Sequence, residues 1–254
     1  MKKTLTTAAA LLALLPAAHA QVSITDPTFI YLQNFDTLPV AGATNAWAND
    51  STLAGWSLFS NTGVAVTNLR ADSGTSNTGA MYSYGAANAT ERALGAVASG
   101  SFVGNIVLAL TNNSGSALNS FTIAYSGEQW RNGGNTNAQS LSLEYGFGAS
   151  YATTTFTALP SFGFTSPVVG ATAGAVDGNV AGLLTNLGGA VSTNWAVSDT
   201  LWLRWVDLND TGNDHGLAID NFSFAVTPVP EPGTLAMWLA GVASLGFVAR
   251  RRRG

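Results

Sequence analysis

Cysteine does not occur in this chain, lysine is confined to positions 2 and 3, and histidine to positions 19 and 215. Each shortage removes a class of chemistry. Without cysteine there is no disulfide framework and no thiolate to attack a substrate or hold zinc. Beyond residue 20 only His215 is left to serve a Ser-His-Asp triad. It lies in a turn with Asp210 and Asp214 and no recognisable nucleophile motif. No HExxH, GxSxG or Walker loop appears. Charge is scarce as well. Between residues 21 and 229 only Arg70, Arg92, Arg131 and Arg204 face thirteen acids, a formal −9. A phosphate-binding surface needs clustered Lys or Arg, so nucleic acid is excluded as a partner. Low charge combined with many aromatics also argues against disorder.

What charge there is gathers at the ends. Lys2 and Lys3 precede an apolar stretch over residues 5–15, and Ala18-His19-Ala20 follows as a small-x-small cleavage site. This is the layout of a secretory signal peptide, so residues 1–20 are set apart, with Sec export and signal peptidase implied. At the other end, residues 233–249 carry no charge and approach the roughly 17–25 residues of a membrane-spanning helix. Arg250, Arg251, Arg252 and Arg253 then form a stop that the positive-inside rule holds in the cytoplasm. Pro230, Glu231 and Pro232 precede the span. The two prolines remove backbone donors and force their neighbours extended, which makes the segment an exposed tether.

The order Pro-Glu-Pro, apolar span, arginine cluster resembles the PEP-CTERM sorting signal of exported bacterial proteins. The resemblance covers residues 228–254. It implies an exosortase as processing partner, a precursor held transiently in the inner membrane, and delivery to the cell surface or extracellular matrix.

The remaining body, residues 21–227, reads as one all-β domain. Short runs of alternating polarity are broken by Gly and Asn, which is the signature of half-buried strands. Phe121, Ile123 and Tyr125 share one face, as do Leu141, Leu143 and Tyr145, with RNGGNTNAQ between the two runs. This pair predicts a hairpin. Further strands are predicted near 29–35, 56–61, 64–69, 80–84, 102–111, 201–206 and 217–226, while 165–195 reads as loop-rich. About ten short strands point to a two-sheet antiparallel jelly-roll sandwich, flanked by the signal helix and the C-terminal transmembrane helix. LWLRWVDLNDTGNDHGLAIDNFSF, with NFDTLP and GEQWR, resembles the body shared by PEP-CTERM proteins, and it also resembles the closing strands of concanavalin-like and carbohydrate-binding jelly rolls. That resemblance implies a glycan-binding or matrix-associated sandwich.

Two groups of residues are candidates for chemistry. Glu128, Trp130, Glu144, Trp202 and Arg204 fall opposite the core faces of their strands. Tryptophans stack on sugar rings while carboxylates and arginine take the hydroxyls; a second buried layer would use the same residues. Glu128 and Glu144 are also the pair available for glycoside hydrolysis, which needs a spacing of roughly 5–9.5 Å. Asp207, Asn209, Asp210 and Asp214 pack oxygen ligands into one turn, as Ca²⁺ requires, although Ala218 stands where an EF-hand has its bidentate Glu. A polar hairpin turn has the same composition. Alternation puts Asp220 beside Phe222 and Phe224, so its carboxylate needs a partner: Arg204, a cation shared with Asp207 or Asp36, or loop backbone. The expectation is a non-catalytic surface or matrix protein associated with exopolysaccharide, with structural Ca²⁺ as an optional cofactor. The alternatives are a glycan hydrolase or lyase on the same scaffold and a purely structural matrix protein.

Overall fold

Alternating polarity with Gly and Asn between the runs produces strands through about half of residues 21–227, which are the residues described by this computed structural model. The expected signal segment 1–20, the expected tether at Pro230 to Pro232, the expected span 233–249 and Arg250 to Arg253 lie outside the described residues. Among the described residues no helix is long and apolar enough to cross a membrane. In chain order the strands are β1 (Val22–Ile24), β2 (Ile30–Gln33), β3 (Asn45–Ala46), β4 (Trp56–Ser60), β5 (Asn68–Asp72), β6 (Ala80–Tyr84), β7 (Ala93–Val97) and β8 (Gly104–Asn112). They continue as β9 (Leu118–Asn132), β10 (Ser140–Phe147), β11 (Thr157–Ala158), β12 (Phe164–Thr165), β13 (Gly174–Ala175), β14 (Leu183–Trp195), β15 (Thr200–Asp207) and β16 (Gly216–Thr227).

They form two sheets. The seven-stranded sheet runs β1-β8-β15-β10-β11, with β4 against β8 and β12 against β10. The nine-stranded sheet runs β13-β9-β16-β7-β6-β5-β3, with β14 against β9 and β2 against β16. Inward residues of both sheets share one core: Trp56, Leu108, Leu143 and Trp205 from the first, Phe121, Ile123, Ile219 and Phe224 from the second. Trp56 stacks on Trp205 at 5.8 Å and meets the edge of Phe222 at 5.4 Å, so aromatic packing bridges the layers. This is an all-β sandwich consistent with a jelly roll.

Three expectations need correction. The pairing is not wholly antiparallel, because β1 joins β8 and β5 joins β6 in parallel. The β5–β6 return is short because Asp72 accepts from Thr75 Oγ1 and Ser76 N and curls the loop back. Second, β9 and β10 are no hairpin: β9 pairs with β14 and β16, and β10 with β15. Their apolar faces meet across the core instead, Phe121 edge-on to Tyr145 at 5.8 Å. The connecting loop crosses between sheets and is tied to the Asp207–Gly216 turn by Asn135 Nδ2 to Thr211 O (2.9 Å) and Gln139 Nε2 to Asn213 O (3.0 Å). Third, residues 165–195 hold β14, a thirteen-residue strand whose alternation is hidden by Asn186, Gly188 and Gly189, all at positive φ.

Candidate functional site

The outward residues of the two sheets make two distinct places, and the five expected ligand residues divide between them. Trp202, Arg204 and Glu144 lie on the seven-stranded sheet; Glu128 and Trp130 lie on the nine-stranded one. Parity thus puts all five off the main core, but the expectation that they form one open face is corrected. Glu128, Trp130 and Trp202 are all buried.

On the seven-stranded sheet, Trp202 packs over Val107 and Ala109 and donates from Nε1 to Gly148 O at 2.9 Å. The short helical turn Tyr151–Thr153 covers most of its indole. The open aromatic surface passes to Phe59 and Tyr151, whose rings stack at 4.3 Å and 10°. These three rings line a trough of about 370 Å³ rimmed by Gln21, Asn49 and Ser57. Beside it Arg204 Nε donates to Glu144 Oε2 at 2.8 Å, and the guanidinium lies 3.9 Å from the Phe156 ring centroid. Arg204 is therefore the partner of Glu144, not of Asp220.

On the nine-stranded sheet, Trp130 is stacked parallel to Tyr84 at 6.2 Å, and Tyr84 to Tyr82 at 4.8 Å. The loop between β13 and β14 lies flat on the indole because Gly178 has no side chain; a Cβ there would overlap the ring. Trp130 Nε1 donates to Glu128 Oε2 at 2.7 Å. Asp220 joins them against expectation. A β-bulge between Asp220 and Ser223, with Asn221 at φ 48°, resets the alternation. Leu217 and Ile219 point inward before it, Phe222 and Phe224 after it, and Asp220 is left on the outer side with Ala218.

Glu91, from the loop before β7, completes a trio: carboxylate oxygens of Glu91, Glu128 and Asp220 all lie within 4.8 Å of one another. Burial pushes Glu128 up to about 8, against its bond from Trp130, and Asp220, Glu91 and Asp177 push the same way. Burial likewise pushes Asp220 up to about 7, opposed by a backbone hydrogen bond at Asn221 and aided by Glu91 and Asp36. Neutral donors hold the outer oxygens: Asn179 Nδ2 to Glu91 Oε2 and Asn221 Nδ2 to Asp220 Oδ2, both at 2.6 Å. Sequence reasoning missed Glu91. The one available signal was a lone glutamate abutting the apolar run of β7.

The expected calcium turn has a different arrangement. Among the described residues, Glu91, Glu128 and Asp220 are the trio of acids close enough to share an ion; Asp207, Asp210 and Asp214 are not so gathered. Asp214 Oδ1 accepts from Asp210 N at 2.8 Å, closing the turn on itself beside Asn209. Asp207 turns inward at the end of β15, where burial raises it well above the carboxylate range, with Asp214 and Asp210 adding to the rise. His215 is also buried; its Nδ1 accepts from Gly133 N at 2.9 Å, and burial lowers its pKa.

Comparison with known proteins bears on the destination of the chain. A family described as the PEP-CTERM protein-sorting motif matches residues 228–253. The chain carries a PEP-CTERM sorting signal. That signal implies processing by an exosortase and export toward the cell surface, and the match contains Pro230 to Pro232 and all four terminal arginines. No curated protein matches the chain. A solved structure titled "Crystal structure of Agl-KA catalytic domain" is similar at 12% identity and a TM-score of 0.27, over 88% of this chain and 32% of that one. The chain thus spans about a third of that structure's length, and at this similarity neither fold nor activity transfers.

Proposed function

We propose that the body is a non-catalytic module that associates with extracellular polysaccharide, binding sugar in the trough on the seven-stranded sheet. The supporting observation is the stacked Phe59–Tyr151 pair beside the edge of Trp202, rimmed by amide and hydroxyl groups. Apolar ring faces pack against the C–H faces of a pyranose, while Gln21 and Ser57 line the same trough within reach of its hydroxyls. Glu144 and Arg204 extend the polar rim on the same face. In the precursor, the span 233–249 holds the chain transiently in the inner membrane until exosortase acts at the Pro-Glu-Pro tether.

Hydrolysis by Glu128 and Glu144 is not part of this reading. The two sit on opposite outer faces of a sandwich whose sheets pack roughly 10 Å apart, so they cannot flank one glycosidic bond. Affinity electrophoresis of the mature protein through the producing cell's own polysaccharide tests the binding reading. Retardation that Tyr151→Ala weakens roughly tenfold, while Val180→Ala on the far side leaves it intact, is the expected result. Unretarded migration of the unmutated protein would leave it a structural matrix protein.

A further inference from the structure

The carboxylate trio on the nine-stranded sheet makes no direct contact with a basic side chain among the described residues, and Arg92 acts on Glu91 only through the field. Among the described residues no ion pair reaches Glu91, Glu128 or Asp220. The nearest arginine in sequence, Arg92, turns its guanidinium to Ser83 Oγ (2.8 Å), Ser83 O and Ala86 O. Asp220 is 2% exposed, and its Oδ1 has no hydrogen-bond partner. A buried carboxylate oxygen left without a donor is costly, and two more acids lie within reach of this one, so the place suits a ligand that supplies positive charge. The donors present are neutral, and each engages an oxygen from the flank: Trp130 on Glu128, Asn179 on Glu91, Asn221 on Asp220.

We propose that Glu91, Glu128 and Asp220 form a binding site for a calcium-class divalent cation, which fastens the loop before β7 to strands β9 and β16. Two oxygens on one Ca²⁺ at roughly 2.3–2.6 Å lie at most about 5 Å apart, and the trio meets that limit. All donors are oxygen, with no histidine or cysteine among them, which suits a hard cation and disfavours zinc. The bulge at Asn221 has a purpose on this reading. It turns one acid of an otherwise alternating strand onto the outer face, where the ion can reach it. Asn179 extends the clamp to the loop that covers Trp130.

The site lies on the face opposite the trough, so it can be tested independently of sugar binding. Trp130 donates directly to Glu128, which makes its indole an antenna for a lanthanide bound there. The mature protein, stripped with chelator, is titrated with Tb³⁺ under tryptophan excitation and melted with and without Ca²⁺. Saturable sensitised emission, displaced by Ca²⁺, and a rise in melting temperature of roughly 5–10 °C at a hundredfold excess over Kd are expected. Asp220→Asn and Glu128→Gln should abolish both signals and melt no lower than the stripped parent, because each amide keeps the shape of the acid and needs no neutralising partner. Glu91→Gln, at the less buried position, serves if either of these fails to fold. Asp210→Asn, in the turn, should leave both signals unchanged. Absence of emission and of any calcium-dependent shift in the parent, or their survival in Asp220→Asn, would overturn the proposal.

Discussion

The two outer faces of the sandwich were built from the same vocabulary of tryptophan, glutamate and arginine, yet they have opposite characters. On the seven-stranded sheet Glu144 found Arg204, the pair stayed partly in water, and an aromatic trough remained open beside it. On the nine-stranded sheet Trp130 and Glu128 were roofed over by the loop carrying Gly178, and the acids were brought together without a paired arginine among the described residues. The composition of a strand face therefore does not decide whether it meets solvent. The loops crossing it decide, and the charge left underneath must be neutralised by something other than water.

The sharpest way to break this contrast is to vary pH with chelator present. Glu128 and Asp220 hold their protons in the folded state up to about 8 and about 7, whereas the unfolded chain releases them near its ordinary carboxylate values. Asp207 is raised in the same direction. Below the unfolded values their contribution is fully present; it is lost as pH rises through the folded ones. Metal-free protein should thus lose on the order of several kcal/mol of stability between pH 5 and pH 8, read by denaturant melts, with Ca²⁺ recovering part of it at the upper end. A flat profile would mean that the acids are better solvated than their burial implies.

A second test lifts the roof. Gly178→Val puts side-chain atoms against the indole of Trp130 and should cost about 1–3 kcal/mol, with a red shift of tryptophan emission as the loop is displaced. The open face should respond least. Arg204→Ala removes an ion pair whose side chains are both 24% exposed, and a change below about 1 kcal/mol is expected, shrinking further in salt. A large loss there would mean that the guanidinium's contact with Phe156 holds the trough together.

Much of this architecture could be read from residues alone, and the failures have physical causes. The strand at Ala80–Tyr84 falls where expected, and the inward faces of β9, β10 and β15 follow from alternation. Alternation reports which side of a strand is buried, however, and says nothing about its neighbour. The runs around Ile123 and Leu143 fit a hairpin and a cross-core contact equally well, and only the length and side-chain ties of the 133–139 loop separate the two. Asp220 was misplaced because one residue at positive φ, Asn221, inverts the pattern, and asparagine is common in strands' ends and turns without doing so. Whether Trp130 lay on an open face or beneath a covering layer stayed open, because the shielding loop lies some fifty residues further along the chain. Glu91 could not be grouped with Glu128 and Asp220 at all, since three distant segments meet only in the folded sheet. The sorting signal behaved differently: its three parts are contiguous, so their order was legible directly.

The position of β16 constrains the order in which the sheet can close. It is the last strand before the sorting signal, yet it lies inside the nine-stranded sheet, bonded to β9, β7 and β2. Such a sheet cannot be completed until its final twelve residues are free to pair. The hydrophobic interior therefore stays unfinished until the last strand before the sorting signal has joined the sheet. By the same logic, a protease that trimmed inward past residue 227 would be pulling on a keystone, not on a loose end.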